Sequence, residues 1–147
     1  MLTVQREFEW DMGHRVTNHK SLCRNPHGHR YKMLVEIAGY VSDQAGDSSQ
    51  GMVLDFGDLK SLITNEVVDK YDHSFMYWLE DPIMKAFASN NEDLRLVGVP
   101  FVPTAECIVA HIAKQLTDAL TKQLPNVSLE SVVLFETPKC SARWVKP

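Results

Sequence analysis

Three histidines and a cysteine fall close together near one end of this 147-residue chain: His14, Cys23, His27 and His29. Only Gly28 separates His27 from His29, at the entrance to a segment that alternates apolar and polar residues. Side chains two apart on a strand point to the same face, so these two imidazoles can hold one metal ion. Gly28 between them leaves space and backbone freedom. His14 lies just past an earlier strand-like segment, and pairing of the two strands would bring it alongside as a third ligand. Three neutral imidazoles with an open fourth position are the arrangement of a catalytic zinc, whereas a structural zinc is closed by four protein ligands. The open position would polarise a substrate oxygen or acidify a bound water. An H-x-H pair alone is a weak signal, and histidines in a Pro/Gly loop are often merely solvated.

Cys23 lies beside Arg24 and close to the proposed metal. Positive neighbours favour thiolate, which suits a general base or nucleophile; the plain alternative is an ordinary loop cysteine. Cys107, on a predicted helix, reads as a small core residue, and Cys140 lies in a polar tail. Asp72-His73 is a second candidate pair, because a carboxylate can fix an imidazole's tautomer and raise its basicity. Adjacent side chains need not touch, and a capping aspartate beside a solvated histidine is the competing reading. Glu136 ends the apolar run Val132–Phe135. Its carboxylate either anchors a ligand's donor edge or is the solvated end of a strand.

Stepping outward, Thr3–Trp10 and Tyr31–Gly39 read as half-buried strands, with a polar loop from Thr17 to Gly28. Ser42–Gln50 is a turn by composition. Asp55 is a helix N-cap, and Leu59, Leu62, Ile63 and Val67 share one helical face to about Val68. From Phe75 to Pro103 the pattern is weakest, with one short strand expected at Leu94–Val99. Pro103-Thr104 opens the clearest helix, on which Ile108, Ile112, Leu116 and Leu120 recur every fourth position. Ser128–Glu136 reads as a strand and Arg143–Val145 as another. Strand, strand, helix, helix, strand, strand is an α+β order, with an antiparallel sheet and helices on one face.

The bulk properties bound the function. The chain is 44% hydrophobic and 23% charged, which fits one soluble globular domain spanning 1–147. A net charge of −4 without a Lys/Arg run disfavours nucleic-acid binding. No apolar run nears the ~20 residues of a membrane span. The first segment lacks the apolar stretch of a signal peptide, so a cytoplasmic protein with free thiols is expected.

Together these residues resemble the 6-pyruvoyl-tetrahydropterin synthase and 6-carboxy-tetrahydropterin synthase family. The resemblance is carried by Phe8-x-x-x-x-x-His14-Arg15, Cys23-x-x-x-His27-Gly28-His29, Gly51-Met-Val-Leu-Asp55-Phe56-x-x-Leu59-Lys60, Asp72-His73, Pro103-Thr104-Ala105-Glu106 and Glu136-Thr137, in the family's order from Phe8 to Thr137. It implies the tunnelling fold: a four-stranded antiparallel sheet with two helices on one side, assembled as a homohexamer (a dimer of trimers) with active sites between subunits. It also implies a zinc-dependent lyase, with zinc on His14, His27 and His29. Cys23, Asp72 and His73 would be catalytic, while Glu136 and Thr104 would hold the pterin.

The three-residue gap between Cys23 and His27 resembles the 6-carboxy-tetrahydropterin synthase branch, which feeds queuosine and other 7-deazapurines. The implied substrate is 7,8-dihydroneopterin triphosphate, and the implied products are 6-carboxy-5,6,7,8-tetrahydropterin, acetaldehyde and triphosphate. The alternatives are triphosphate elimination to 6-pyruvoyl-tetrahydropterin, and a non-catalytic zinc- or pterin-binding member of the fold. The chain departs from the family's pattern at Trp10, at Asp11-Met12-Gly13, in the long Phe75–Val102 segment and after Glu136.

Overall fold

The computed structural model describes residues 1–147. Strands β1 (Leu2–His14) and β2 (His27–Gly39) form an antiparallel pair over their full length, from Leu2 opposite Gly39 to His14 opposite His27. Alternation sorts their side chains. Phe8, Trp10, Met12 and His14 of β1 are buried on the same face as Tyr31, Met33, Val35 and Ile37 of β2. Glu7, Glu9 and Asp11 point the other way and are exposed.

On the far side of β2 lie β5 (Val127–Thr137) and β6 (Cys140–Val145), both antiparallel to their neighbours. The β2–β5 register shifts between Glu36 and Ile37, a bulge that adds local twist. On the other side of β1 lie β3 (Ser74–Trp78) and β4 (Leu96–Val99). β3 runs parallel to β1, and β4 parallel to β3. The full order is β4-β3-β1-β2-β5-β6.

Helix α1 (Phe56–Ile63) begins where the Asp55 carboxylate accepts the Gly57 N–H. It continues through a π-helical turn, Thr64–Val68, into α2 (Asp69–Tyr71). α3 (Pro82–Ser89) starts at the Asp81 cap with Pro82 in its first turn, where a missing N–H costs nothing. α4 (Ala105–Gln123) starts at Thr104. Its inner stripe of Ile108, Ile112, Leu116 and Leu120 joins Leu59, Ile63 and Val67 and the buried strand residues in one core of 24 residues. Each such side chain contributes roughly 1.5–3 kcal/mol by leaving water.

The expected α+β layering holds, and the four antiparallel strands are β1, β2, β5 and β6. The sheet, however, has six strands and is mixed, and three helices rather than two exceed a single turn. The extra elements lie within the long segment that follows Asp72. β3 carries large side chains on both faces, Phe75 and Tyr77 against Met76, so no period of two marks it. α3 is only eight residues long, and of these it buries Met84 alone. The first helix also runs past Val68 to Tyr71, because the π-turn absorbs an extra residue without ending it. Cys107 is exposed, not core: the buried stripe of α4 runs through Ile108 and Val109 and leaves position 107 outside.

Candidate active site

The end of β1 and the start of β2 bring the three histidines together. In register, His14 lies opposite His27 and Met12 opposite His29, so all three imidazoles share the core-side face. Ring centroids are separated by 4.6 Å (His14–His27), 5.1 Å (His14–His29) and 5.0 Å (His27–His29). One nitrogen of each ring lies within 4.8 Å of the others.

Backbone carbonyls set the tautomers. His14 Nδ1 donates to the Pro103 carbonyl at 2.7 Å, and His27 Nδ1 to the Asn25 carbonyl at 2.7 Å. A carbonyl can only accept, so both Nδ1 atoms carry a proton, and Nε2 is the nitrogen each ring has left for a ligand. Burial lowers the His14 pKa to about 4. The Pro103 hydrogen bond opposes this, while the neighbouring His27 and His29 reinforce it. His29 is also pushed down, by burial and then by His27.

Glu136, on the core side of β5, places Oε1 3.8 Å from His14 Nε2. Because His14 is neutral, this contact sets two acceptors against each other rather than forming an ion pair. His14 Nε2 is buried with no hydrogen-bond partner. Three clustered imidazoles, with the buried His14 Nε2 orphaned and facing a carboxylate, fit a divalent cation of the zinc class. The Nδ1–H groups of His14 and His27, held on carbonyls, are the usual outer support of such ligands.

Two further polar groups escaped sequence reasoning. Tyr31 and Trp10 are fully buried, and neither the Tyr31 hydroxyl nor the Trp10 Nε1–H has a partner. Their rings stack at 5.9 Å, and Tyr31 meets the His29 ring edge-on at 5.6 Å. Burial, then the Glu136 charge, pushes the Tyr31 phenol well above its ordinary range. Glu136 itself is raised by burial and by the charge of Glu106, against the effect of His27. Tyr31 was findable: it continues the two-residue period of His27 and His29.

Asp72 and His73 do touch, with His73 Nδ1 3.0 Å from Asp72 Oδ2. The contact is made by a left-handed turn at His73 (φ 59°), pinned by the His73 N–H donating to the Asp11 carbonyl at 2.8 Å. The Asp11 N–H returns a bond to Asp72 Oδ1 at 3.0 Å, so the Asp72 side chain braces a strand while its backbone ends α2 as the C-cap. Burial alone would raise the Asp72 carboxyl, but the hydrogen bonds from Asp11 and His73 hold it below its ordinary value. Asp11 joins this group and pairs with Arg30 at 3.1 Å.

The dyad and the three histidines are not one cluster. They share no residue. His73 lines a hollow of about 490 Å³ together with Asp11, Gly13, Gly28, His29 and Arg30. Asp11 and Arg30 alternate with Met12 and His29 and so face the opposite side of the sheet. Gly13 is required here, since a Cβ would come within 2.6 Å of the Phe75 ring.

Cys23 sits on a short 3-10 turn, Leu22–Arg24, with an exposed side chain outside the histidine group. Its carbonyl accepts the Val16 N–H at 2.8 Å, which ties the turn to the residues after His14. The Thr104 hydroxyl accepts the Cys107 N–H at 3.3 Å as the cap of α4, next to the carbonyl that holds His14.

Known proteins share this arrangement's sequence and frame. The chain is 36% identical over 140 residues to the 6-carboxy-5,6,7,8-tetrahydropterin synthase of Haemophilus influenzae, covering 94% of each. It is 35% identical over 137 residues to a probable 6-carboxy-5,6,7,8-tetrahydropterin synthase of Halobacterium salinarum, covering 93% of this chain and 82% of that one. The fold superposes on Caenorhabditis elegans 6-pyruvoyl tetrahydropterin synthase with a TM-score of 0.69 at 24% identity, over 99% of this chain and 96% of that one. An uncharacterized protein of Wolinella succinogenes gives a TM-score of 0.79 at 24% identity, covering 99% and 98%. Residues 3–146 match the family model described as 6-pyruvoyl tetrahydropterin synthase. Matched in sequence and in fold along nearly its whole length, the chain belongs to the 6-pyruvoyl tetrahydropterin synthase family.

Proposed function

We propose that the protein is a 6-carboxy-5,6,7,8-tetrahydropterin synthase, a single-domain cytoplasmic lyase that uses zinc. Its substrate would be 7,8-dihydroneopterin triphosphate, cleaved with one water to 6-carboxy-5,6,7,8-tetrahydropterin, acetaldehyde and triphosphate, on the route to queuosine and other 7-deazapurines. The observation that carries this reading is the orphaned Nε2 of His14, held among two further imidazoles and facing Glu136. The relatives' names and the three-residue gap between Cys23 and His27 support the carboxy product over the pyruvoyl one.

His14, His27 and His29 would hold zinc, which when bound would supply Lewis acidity toward the hydroxyls of the substrate's side chain. Glu136 holds the pterin by accepting its amino and ring N–H groups, two charge-assisted bonds. Thr104 helps to seat the ring. Cys23 removes a proton from the side chain as the general base. Asp72 fixes His73 with Nδ1 protonated, leaving Nε2 free to relay a proton. Asp72-His73 forms a group separate from the three histidines, and the family resemblance implies active sites between subunits, so the pair is assigned to the site of a neighbouring subunit in a homohexamer built as a dimer of trimers.

The test is to incubate zinc-loaded protein with 7,8-dihydroneopterin triphosphate, assay acetaldehyde and weigh the pterin product. Stoichiometric acetaldehyde with the carboxy-pterin mass is expected. A pyruvoyl-pterin mass without acetaldehyde, or no turnover, overturns the reading.

A further inference from the structure

We propose that Asp81 is a positioning residue for the loop that carries Cys23. The inference rests on the assignment of Cys23 as the general base. Asp81 is fully buried at the head of α3, in the long segment that the family resemblance does not explain. One carboxylate oxygen is enough for its cap: Oδ1 accepts the Ile83 and Met84 N–H groups at 3.0 and 3.2 Å. The other oxygen reaches across to the loop after His14. Oδ2 accepts the Thr17 hydroxyl at 2.6 Å and pairs with Arg15 Nε at 3.4 Å, a charge contact whose alignment falls short of a hydrogen bond. Thr17 and Arg15 are themselves buried.

Residues 15 and 17 flank Val16, whose N–H donates to the Cys23 carbonyl at 2.8 Å. A continuous polar path therefore runs from α3 through Asp81, Arg15 and Thr17, and Val16 to the catalytic turn. At its other end the turn is tied to β2 where the Asn25 carbonyl accepts the His27 Nδ1–H. From Lys20 to Pro26 every residue is exposed or nearly so, and Leu22 is 81% exposed. Apolar burial cannot fix the thiol in place, so the buried carboxylate does. A base displaced by about 1 Å loses on the order of a hundredfold in rate, which is why a bond this far from the chemistry affects turnover.

Asp81→Ala would strip the α3 cap and leave a buried guanidinium unpaired, and so threatens the fold itself. Thr17→Val, close in shape, deletes one bond, and Asp81→Asn keeps the cap but removes the charge. These two variants, Thr17→Ser and Cys23→Ala are compared as zinc-loaded oligomers. The readouts are kcat, KM, metal content and the alkylation rate of each cysteine by iodoacetamide, resolved by peptide mass. Thr17→Val and Asp81→Asn are expected to lose about tenfold in kcat with KM and zinc unchanged. Cys23 alkylation should shift by about threefold or more, with Cys107 and Cys140 as unmoved references. Thr17→Ser should restore both readouts.

Wild-type kcat and Cys23 alkylation in both variants overturn the proposal, and so does a fall in kcat with Cys23 alkylation unmoved. If Cys23→Ala retains turnover, the general-base assignment fails instead. The alkylation rates then decide the tether on their own.

Discussion

His14 Nδ1 donates to the Pro103 carbonyl at 2.7 Å, joining the last residue of β1 to the residue before the α4 cap. This bond presents Nε2 rather than Nδ1 to the site, and it couples ligand geometry to the longest helix of the fold. The positions of the three imidazoles are thus set by the paired strands and, for His14, by the residue before the α4 cap.

Because that frame does not depend on the ion, metal removal should leave the fold standing. His27 is only partly buried, unlike His14, so His27→Ala is the informative variant. It is expected to lose zinc and turnover while keeping its circular dichroism spectrum and its oligomeric state. Metal analysis with size-exclusion chromatography decides this. A His27→Ala protein that unfolds would make the metal a structural one.

Acid should destabilise the metal-free protein through His14. Its folded pKa is about 4, below the ordinary 6.5 that applies when unfolded. Between these values the unfolded state binds a proton that the folded state does not, so stability falls as pH drops from about 6.5 to about 4. Below about 4 both states are protonated and this contribution stops changing. The full effect is at most on the order of 3 kcal/mol. Urea unfolding at pH 7, 5.5 and 4.5 measures it, and His14→Asn should flatten the profile in that window.

The separation of the dyad from the histidine group calls for complementation. Cys23→Ala and His73→Ala should each be inactive alone. Dissociated and reassembled together, they should recover roughly a quarter of wild-type activity, because one subunit pairing in four is intact on both sides. No recovery in mixed oligomers, checked by native mass spectrometry, would mean that each chain completes its own site.

How much of this was legible in the sequence follows from where burial writes a period. β1, β2 and α4 alternate or repeat against one core, so their residues and the shared face of His14, His27 and His29 could be read directly. The Asp72–His73 contact could not, because it depends on a left-handed turn pinned by Asp11, 61 positions away. Asp81 was invisible for the same reason: its partners, Arg15 and Thr17, are distant in sequence and adjacent only once α3 is folded. β3 and α3 left no period, one because both its faces carry large side chains and the other because most of it faces solvent.

Tyr31 offers a test whose sign distinguishes a site residue from a core residue. Its hydroxyl is fully buried without a partner, close to the charge of Glu136. A buried hydroxyl that makes no hydrogen bond costs stability. In the ligand-free protein, Tyr31→Phe should therefore be neutral or stabilising, by roughly 1 kcal/mol. An ordinary core tyrosine with a satisfied hydroxyl would instead lose about that much. Under the proposed seating of pterin against Glu136 the hydroxyl would gain a partner, and the same substitution should raise KM several-fold while leaving zinc content unchanged. Urea unfolding of the metal-free variant and steady-state kinetics of the loaded one read the two signs separately. A destabilised Tyr31→Phe with unchanged KM would return Tyr31 to the core and remove it from the site.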